Sequence, residues 1–158
     1  NRPDKIDIDL KRAGRLDRKI PFFYAQTVAE VEPILKAQLR KNKVQSELAF
    51  PIAQDALTPI VGMSNADIEA VVLLASDYAS QRAETLGTGE VPVSIDDLQR
   101  AARDYLPPRD LEMLEFMELL AVFEASNRRM LPPKYADLPI EALQERLQRL
   151  KVVAGHRR

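Results

Sequence analysis

Arg12 and Arg15 lie three positions apart near the start of the chain, in a charged segment that Gly14 interrupts. The guanidinium group of arginine is planar, permanently charged and forked. Such a group suits the charge that spreads over the equatorial oxygens of a phosphoryl group during its transfer. Taken alone, two arginines at this spacing are more often part of a solvated charged turn. The surrounding residues must therefore distinguish catalysis from structure.

Those surrounding residues form a longer pattern, Asn-Arg-Pro-Asp-Lys-Ile-Asp-Ile-Asp-Leu-Lys-Arg-Ala-Gly-Arg-Leu-Asp-Arg-Lys-Ile. It resembles, without a gap, the second region of homology of AAA-type ATPases, T-N-R-P-D-x-I/L-D-x-x-L-x-R-x-G-R-F/L-D-R-x-I/V. The resemblance implies that Arg12 and Arg15 are arginine fingers, which reach the ATP of the adjacent protomer in a ring that is usually a hexamer. It also implies that Asn1 matches the sensor-1 asparagine, which orients the attacking water. Without its strand, Asn1 is not expected to do so in this chain. Asp17 and Arg18 are expected to hold the finger turn.

A second motif begins at Gly62 and continues Met-Ser-Asn-Ala-Asp-Ile. It resembles G-x-S/T-G-A-D-I/L of the AAA helical lid, with Asn65 in place of the usual glycine. The resemblance implies that Asn65 and Ala66 pack near the adenine and ribose, with Gly62 in the same cofactor-binding segment. Small residues and free amides at a helix N-terminus suit an anionic ligand. An ordinary capped helix start is the alternative. Residues 97–102 loosely resemble a later lid helix.

The family uses ATP or ADP with Mg²⁺, but the Walker A and Walker B motifs that hold them are absent from these residues. We therefore expect the full-length parent to be an ATP hydrolase and this chain alone to be inactive. No metal site is predicted, because the chain has no cysteine and its only histidine is His156. The related membrane-associated proteases carry H-E-x-x-H after the lid. That motif is missing here, so a protease of that kind is not expected.

Helical signals dominate the rest of the chain. Three capping pairs, Thr27 with Glu30, Ser64 with Asp67 and Ser94 with Asp97, predict helix starts. The second of these helices is expected to end near Leu86, before Gly87. A short helix is predicted within residues 47–61, and further helices over residues 110–129 and 140–154. In the last helix, an apolar seam favours packing within the chain over a partner-helix site. Residues 19–24 are apolar and aromatic, which predicts one short strand.

The predicted fold is mainly α. Residues 1–25 would be the end of the AAA α/β core, with a helix-turn and the short strand as its remnant. Residues 26–107 would form the helical-bundle lid subdomain, and residues 108–158 a helical C-terminal extension without a family pattern. The strand partners are expected upstream, and the first residue lies inside a motif. Both observations predict a piece of a longer protein.

Composition narrows the function further. The 158 residues carry a net charge of −1 and have a pI near 6.0. Nothing global therefore attracts the chain to nucleic acid or to an anionic membrane. The absence of cysteine fits a cytoplasmic protein. The leading hypothesis is the C-terminal part of a AAA ATPase, a homo-oligomeric ring that remodels proteins or assemblies, with the protein substrate unknown. The alternative is a non-enzymatic helical interaction module in which the motif is degenerate and residues 108–154 bind a partner.

Overall fold

A computed structural model describes residues 6–7, 9–11, 14–107 and 111–155. The chain forms two compact units. The central unit consists of residues 24–107. The terminal unit joins the described residues up to Phe23 with residues 111–155. The terminal unit is therefore discontinuous in sequence, and its two parts are separated by the whole central unit.

The central unit contains four α-helices within the described residues. These are α1 (Val28–Lys41), α2 (Gln54–Leu57), α3 (Asn65–Leu86) and α4 (Ile95–Asp104), and a short 3-10 turn, Thr58–Ile60, continues α2. The residues before and after these helices are extended or turned. A parallel β-bridge joins Ser46 to Val93.

Local capping chemistry fixes where α3 and α4 begin. The Ser64 hydroxyl accepts the Asp67 N–H at 3.1 Å, and the Asp67 carboxylate accepts the Ser64 N–H at 3.0 Å. Ser94 and Asp97 form the same reciprocal pair at 3.2 and 2.9 Å. Each box satisfies amides that lack a partner at a helix start. Of the three predicted capping boxes, these two are confirmed.

The caps of α1 and of the α3 C-terminus also follow from their residues. Thr27 caps α1 by accepting the Glu30 N–H at 3.3 Å. The Glu30 carboxylate accepts the N–H of Gln26 at 2.7 Å, one residue before the expected one. Gly87 ends α3 with φ of 63°, a left-handed conformation that glycine adopts without a steric penalty.

Helices α1, α3 and α4 pack around one apolar core with α2. Their inward side chains recur at helical spacing, as the sequence predicts. The fully buried members include Val31, Leu35, Leu57, Ile60, Ile68, Val71, Val72, Val93 and Leu98. Asp97 is also buried, and its carboxylate accepts from Arg82 Nη2 at 2.8 Å, while the same nitrogen donates to the Pro92 carbonyl at 2.8 Å. The Asp97 carboxylate therefore links the start of α4 to the C-terminal part of α3.

The terminal unit contains α5 (Leu111–Glu124), α6 (Pro133–Ala136) and α7 (Ile140–Gly155). A 3-10 turn, Arg128–Met130, precedes α6. The core of this unit is buried Leu119, Val122, Tyr135 and Leu143, against which Phe23, Leu147 and Leu150 pack. The apolar seam of α7 is therefore used within the chain.

The mainly α prediction is confirmed, but three details are wrong. Residues 19–24 form no strand; they have no regular secondary structure. A strand needs a neighbouring strand to complete its backbone hydrogen bonds, and none of the described residues pairs with residues 19–24 in this way. Helix α5 ends at Glu124 rather than at Arg129, and the short helix α6 was not anticipated. None of the helices within the described residues has the length and apolar character needed to cross a membrane.

Candidate functional site

Arg15 lies at the tip of a tight turn. Gly14 has φ of 86°, and a Cβ there would have open space around it, so the glycine is required for its backbone conformation. The Asp17 carboxylate accepts the Gly14 N–H and closes the turn. The Arg15 side chain is exposed, with no hydrogen bond or ion pair to any described residue. Arg15 is therefore presented to solvent by a turn whose shape its neighbours fix.

The other two predicted catalytic residues, Asn1 and Arg12, lie outside the described residues. Their roles stay predictions. Arg18 is exposed. Asp17 contributes to the turn as expected, through its bond to Gly14.

Ser126, two residues after α5, ties this turn to the rest of the terminal unit. The Ser126 hydroxyl donates to the Asp17 carbonyl at 3.2 Å and accepts the Lys19 N–H at 2.5 Å. The Ser126 N–H donates to the Lys19 carbonyl at 3.2 Å. Three hydrogen bonds therefore connect one serine to the chain just after Arg15.

Glu124, the last residue of α5, binds lysines on both sides of the turn. One carboxylate oxygen accepts from Lys11 Nζ, and the other accepts from Lys19 Nζ at 2.9 Å. The Glu124 side chain is 24% exposed. Burial raises the pKa of this carboxyl, but the hydrogen bonds and charges of the two lysines outweigh burial and hold the pKa below its usual value. Glu124 is therefore ionised at neutral pH.

An apolar cavity of about 370 Å³ borders these ion pairs. Its lining combines Lys11, Lys19 and Glu124 with apolar residues, namely Ile6, Leu16, Ile20, Pro21, Phe22 and Ala121. A low-dielectric neighbourhood strengthens ion pairs and raises the cost of leaving one partner alone. The two lysines and Glu124 are therefore worth more here than an exposed surface pair.

The predicted nucleotide-contacting residues lie at the start of α3. Gly62, Asn65 and Ala66 are all exposed. Gly62 has φ of 83°, and its N–H donates to the Ala25 carbonyl at 2.8 Å. Asn65 and Ala66 open the helix, so their N–H groups have no carbonyl within α3 to bond. Two N–H groups without a partner in the helix and the positive end of the helix dipole therefore lie at exposed residues.

The side chain of the residue that follows α4 supports this helix start. Tyr105 donates its hydroxyl to the Asp67 carboxylate at 2.8 Å, on the oxygen that the capping box leaves available. Burial raises the pKa of Asp67, but its hydrogen bonds from Ser64 and Tyr105 outweigh burial and lower it. Asp67 is therefore a fully engaged capping residue, which leaves Asn65 and Ala66 as the accessible positions of the motif.

The structure groups the predicted residues in two places. Arg15 belongs to the terminal unit, whereas Gly62, Asn65 and Ala66 belong to the central unit. Sequence analysis did not single out Glu124 and Ser126. Their contacts with the turn span more than a hundred residues, so no local spacing could have indicated them. No group of three or more metal-binding side chains occurs within the described part of the chain.

The class of protein can now be narrowed by comparison. A mainly helical fold carries an exposed arginine turn and an exposed, capped helix start. The chain is 31% identical over 102 residues to the ATP-dependent zinc metalloprotease FtsH of Acholeplasma laidlawii (strain PG-8A). The match covers 65% of this chain but 14% of that protein. No family profile matches the chain, and no solved structure matches it. The similarity to FtsH supports a relation to the AAA ATPases.

Proposed function

We propose that this chain is the C-terminal part of a AAA ATPase whose oligomeric ring couples ATP hydrolysis to the remodelling of proteins or assemblies. In this proposal the central unit is the nucleotide-sensing lid. The turn of the terminal unit supplies arginine fingers to the neighbouring subunit. The observation that carries the proposal is Arg15, exposed at the tip of a fixed turn within a motif of the AAA type.

The geometry of the turn suits this role. A finger acting on a neighbour's nucleotide must project from its own subunit, with its guanidinium free of internal partners. Arg15 meets both conditions among the described residues. Because the nucleotide would be the neighbour's, Arg15 and the α3 start of the same chain need not meet.

The start of α3 supports the nucleotide part of the proposal. The N–H groups of Asn65 and Ala66, which have no partner within α3, and the dipole of a long helix favour an anion. ATP or ADP with Mg²⁺ would be held mainly by residues outside this chain. The proposal covers the ATPase activity of the full-length protein, with the cytoplasm as its location.

The test is the substitution Arg15→Ala in the full-length protein. The expected result is a fall in turnover of about 10³-fold or more, because an arginine finger stabilises the charge of the transition state by that order. Steady-state ATPase assays measure it, and size-exclusion chromatography checks that the ring still assembles.

Arg103→Ala is the matched control. Arg103 is an exposed arginine near the end of α4, without a hydrogen bond or ion pair to the described residues. Its removal should leave turnover within about twofold. Turnover of Arg15→Ala within a few-fold of wild type, with the ring assembled, contradicts the proposed function. A non-enzymatic interaction module would then be the better account.

A further inference from the structure

We infer that Glu124, the last residue of α5, and Ser126, two residues after it, position the Arg15 turn for catalysis. This inference rests on the proposed function of Arg15. It assigns to the C-terminal extension a role that no motif indicates. Glu124 and Ser126 are positioning residues, because they contact the turn and not the nucleotide.

Glu124 connects the two sides of the base of the turn. Lys11 precedes Arg15 and Lys19 follows it, and both ammonium groups bind the same Glu124 carboxylate. One side chain therefore joins the two arms of the loop that carries Arg15. A cross-link at the base of a loop removes conformations that the free loop would sample.

Ser126 contacts the backbone just after Arg15 and so sets the direction in which the tip of the turn points. Ser126 binds the backbone of Asp17 and of Lys19, on either side of Arg18. These hydrogen bonds engage backbone atoms, so they fix the path of the chain rather than one rotamer. Within the turn itself, the Asp17 carboxylate bonds to the Gly14 N–H. That local bond sets the shape of the turn, whereas Ser126 sets its orientation on α5.

The burial of the ion pairs determines how strongly they hold the turn, and the turn determines how precisely the Arg15 guanidinium is placed. The ion pairs are partly buried, with 18%, 31% and 24% of the Lys11, Lys19 and Glu124 side chains exposed. Solvent screens such pairs less than exposed ones. An arginine finger must place its guanidinium within hydrogen-bond distance of a developing charge, and a displacement of about 1 Å costs about 10²-fold in rate. Loss of the α5 contacts would therefore reduce catalysis while leaving Arg15 in place.

The experiment compares Glu124→Gln and Ser126→Ala in the full-length protein, singly and with Arg15→Ala. Glu118→Gln is the matched control, because Glu118 also lies on α5 and accepts from Lys134 Nζ and the Tyr135 hydroxyl, both at 2.7 Å. Glu118→Gln removes the same negative charge as Glu124→Gln from the same helix, at a residue that does not contact the turn. The readouts are kcat, KM for ATP, and hydrogen exchange of peptides covering residues 14–19.

Each of Glu124→Gln and Ser126→Ala should lower kcat about 10-fold or more with KM for ATP within about twofold, and exchange over residues 14–19 should accelerate. Glu118→Gln should change neither kcat nor the exchange over residues 14–19. In the Arg15→Ala background, the two α5 variants should cause no further loss, because they act through Arg15.

Three results overturn the inference: unchanged kcat in both α5 variants, an equal loss in Glu118→Gln, or losses that multiply with that of Arg15→Ala. If Arg15→Ala itself has no effect, the proposed function fails instead. Hydrogen exchange then decides whether α5 holds the turn, since faster exchange in Glu124→Gln and Ser126→Ala, but not in Glu118→Gln, still supports the contact, and unchanged exchange refutes it.

Discussion

At the scale of single residues, Asp67, Asp97 and Glu124 share one electrostatic arrangement. Burial raises the pKa of each carboxyl, and hydrogen bonds from hydroxyls, amides or cations outweigh it, so each pKa lies below its ordinary value. The unfolded chain therefore binds more protons than the folded chain near pH 4. The stabilisation is fully present above about pH 5 and decreases as pH falls through the lower, folded-state pKa values.

Asp97→Asn should lower the free energy of unfolding at pH 7 by about 1 to 2 kcal/mol, because a buried carboxylate that accepts from Arg82 and caps α4 loses its charge. Urea denaturation followed by circular dichroism measures the change. The difference from wild type should shrink as pH falls through the lowered folded-state pKa of Asp97, below which both side chains are neutral.

Asp96→Asn is the control for that substitution. Asp96 is the exposed neighbour of Asp97 in the first turn of α4, so it shares the helix dipole but not the buried contacts. Its removal should cost clearly less than Asp97→Asn. Equal losses for the two variants, or a difference between Asp97→Asn and wild type that does not depend on pH, would contradict the assignment.

At the scale of helices, the start of α3 depends on Tyr105, the residue that follows α4. Tyr105→Phe removes the hydroxyl that donates to Asp67 and should destabilise the protein by about 0.5 to 1.5 kcal/mol. Thermal unfolding measures this loss. Tyr24→Phe is the control, since the Tyr24 hydroxyl has no hydrogen-bond partner among the described residues. A loss in Tyr24→Phe as large as that in Tyr105→Phe would show that the bond between helices contributes nothing of its own.

The helices also show which features sequence can predict. Ser64 with Asp67 and Ser94 with Asp97 are three residues apart, so the chemistry that starts each helix is contained in one turn. Gly87 likewise stops α3 through its own backbone freedom. These local signals explain why the α3 and α4 starts were correctly predicted.

Features that depend on distant contacts were not predictable. Local β propensity indicated a strand over residues 19–24, but the segment has no regular secondary structure. Its contacts are with Ser126, which binds the Lys19 N–H, and with the terminal core, against which Phe23 packs. The residues of the candidate site likewise fall into a predictable local group and an unpredictable distant group. Arg15 and its glycine belong to a local motif, whereas Glu124 and Ser126 lie more than a hundred residues away.

At the scale of the whole molecule, the chain has two cores with different functions in the proposal. The central core stabilises the helix whose start would contact nucleotide. The terminal core holds α5, on which the Arg15 turn rests. The residues before and after the central unit in the sequence thus form one unit. In the proposal, the C-terminal extension, which has no family pattern, supports the Arg15 turn.

The most direct test of the central claim is the mixing of two inactive proteins. One is full-length Arg15→Ala, which keeps its own nucleotide site but offers its neighbour no finger. The other carries an alanine in place of the Walker A lysine expected upstream, so it cannot bind ATP but keeps Arg15. Because Arg15 would act on the adjacent subunit, mixed rings should regain ATPase activity well above either protein alone. Mixed rings that form, as shown by co-purification of differently tagged subunits, but that stay inactive would contradict a finger acting between subunits.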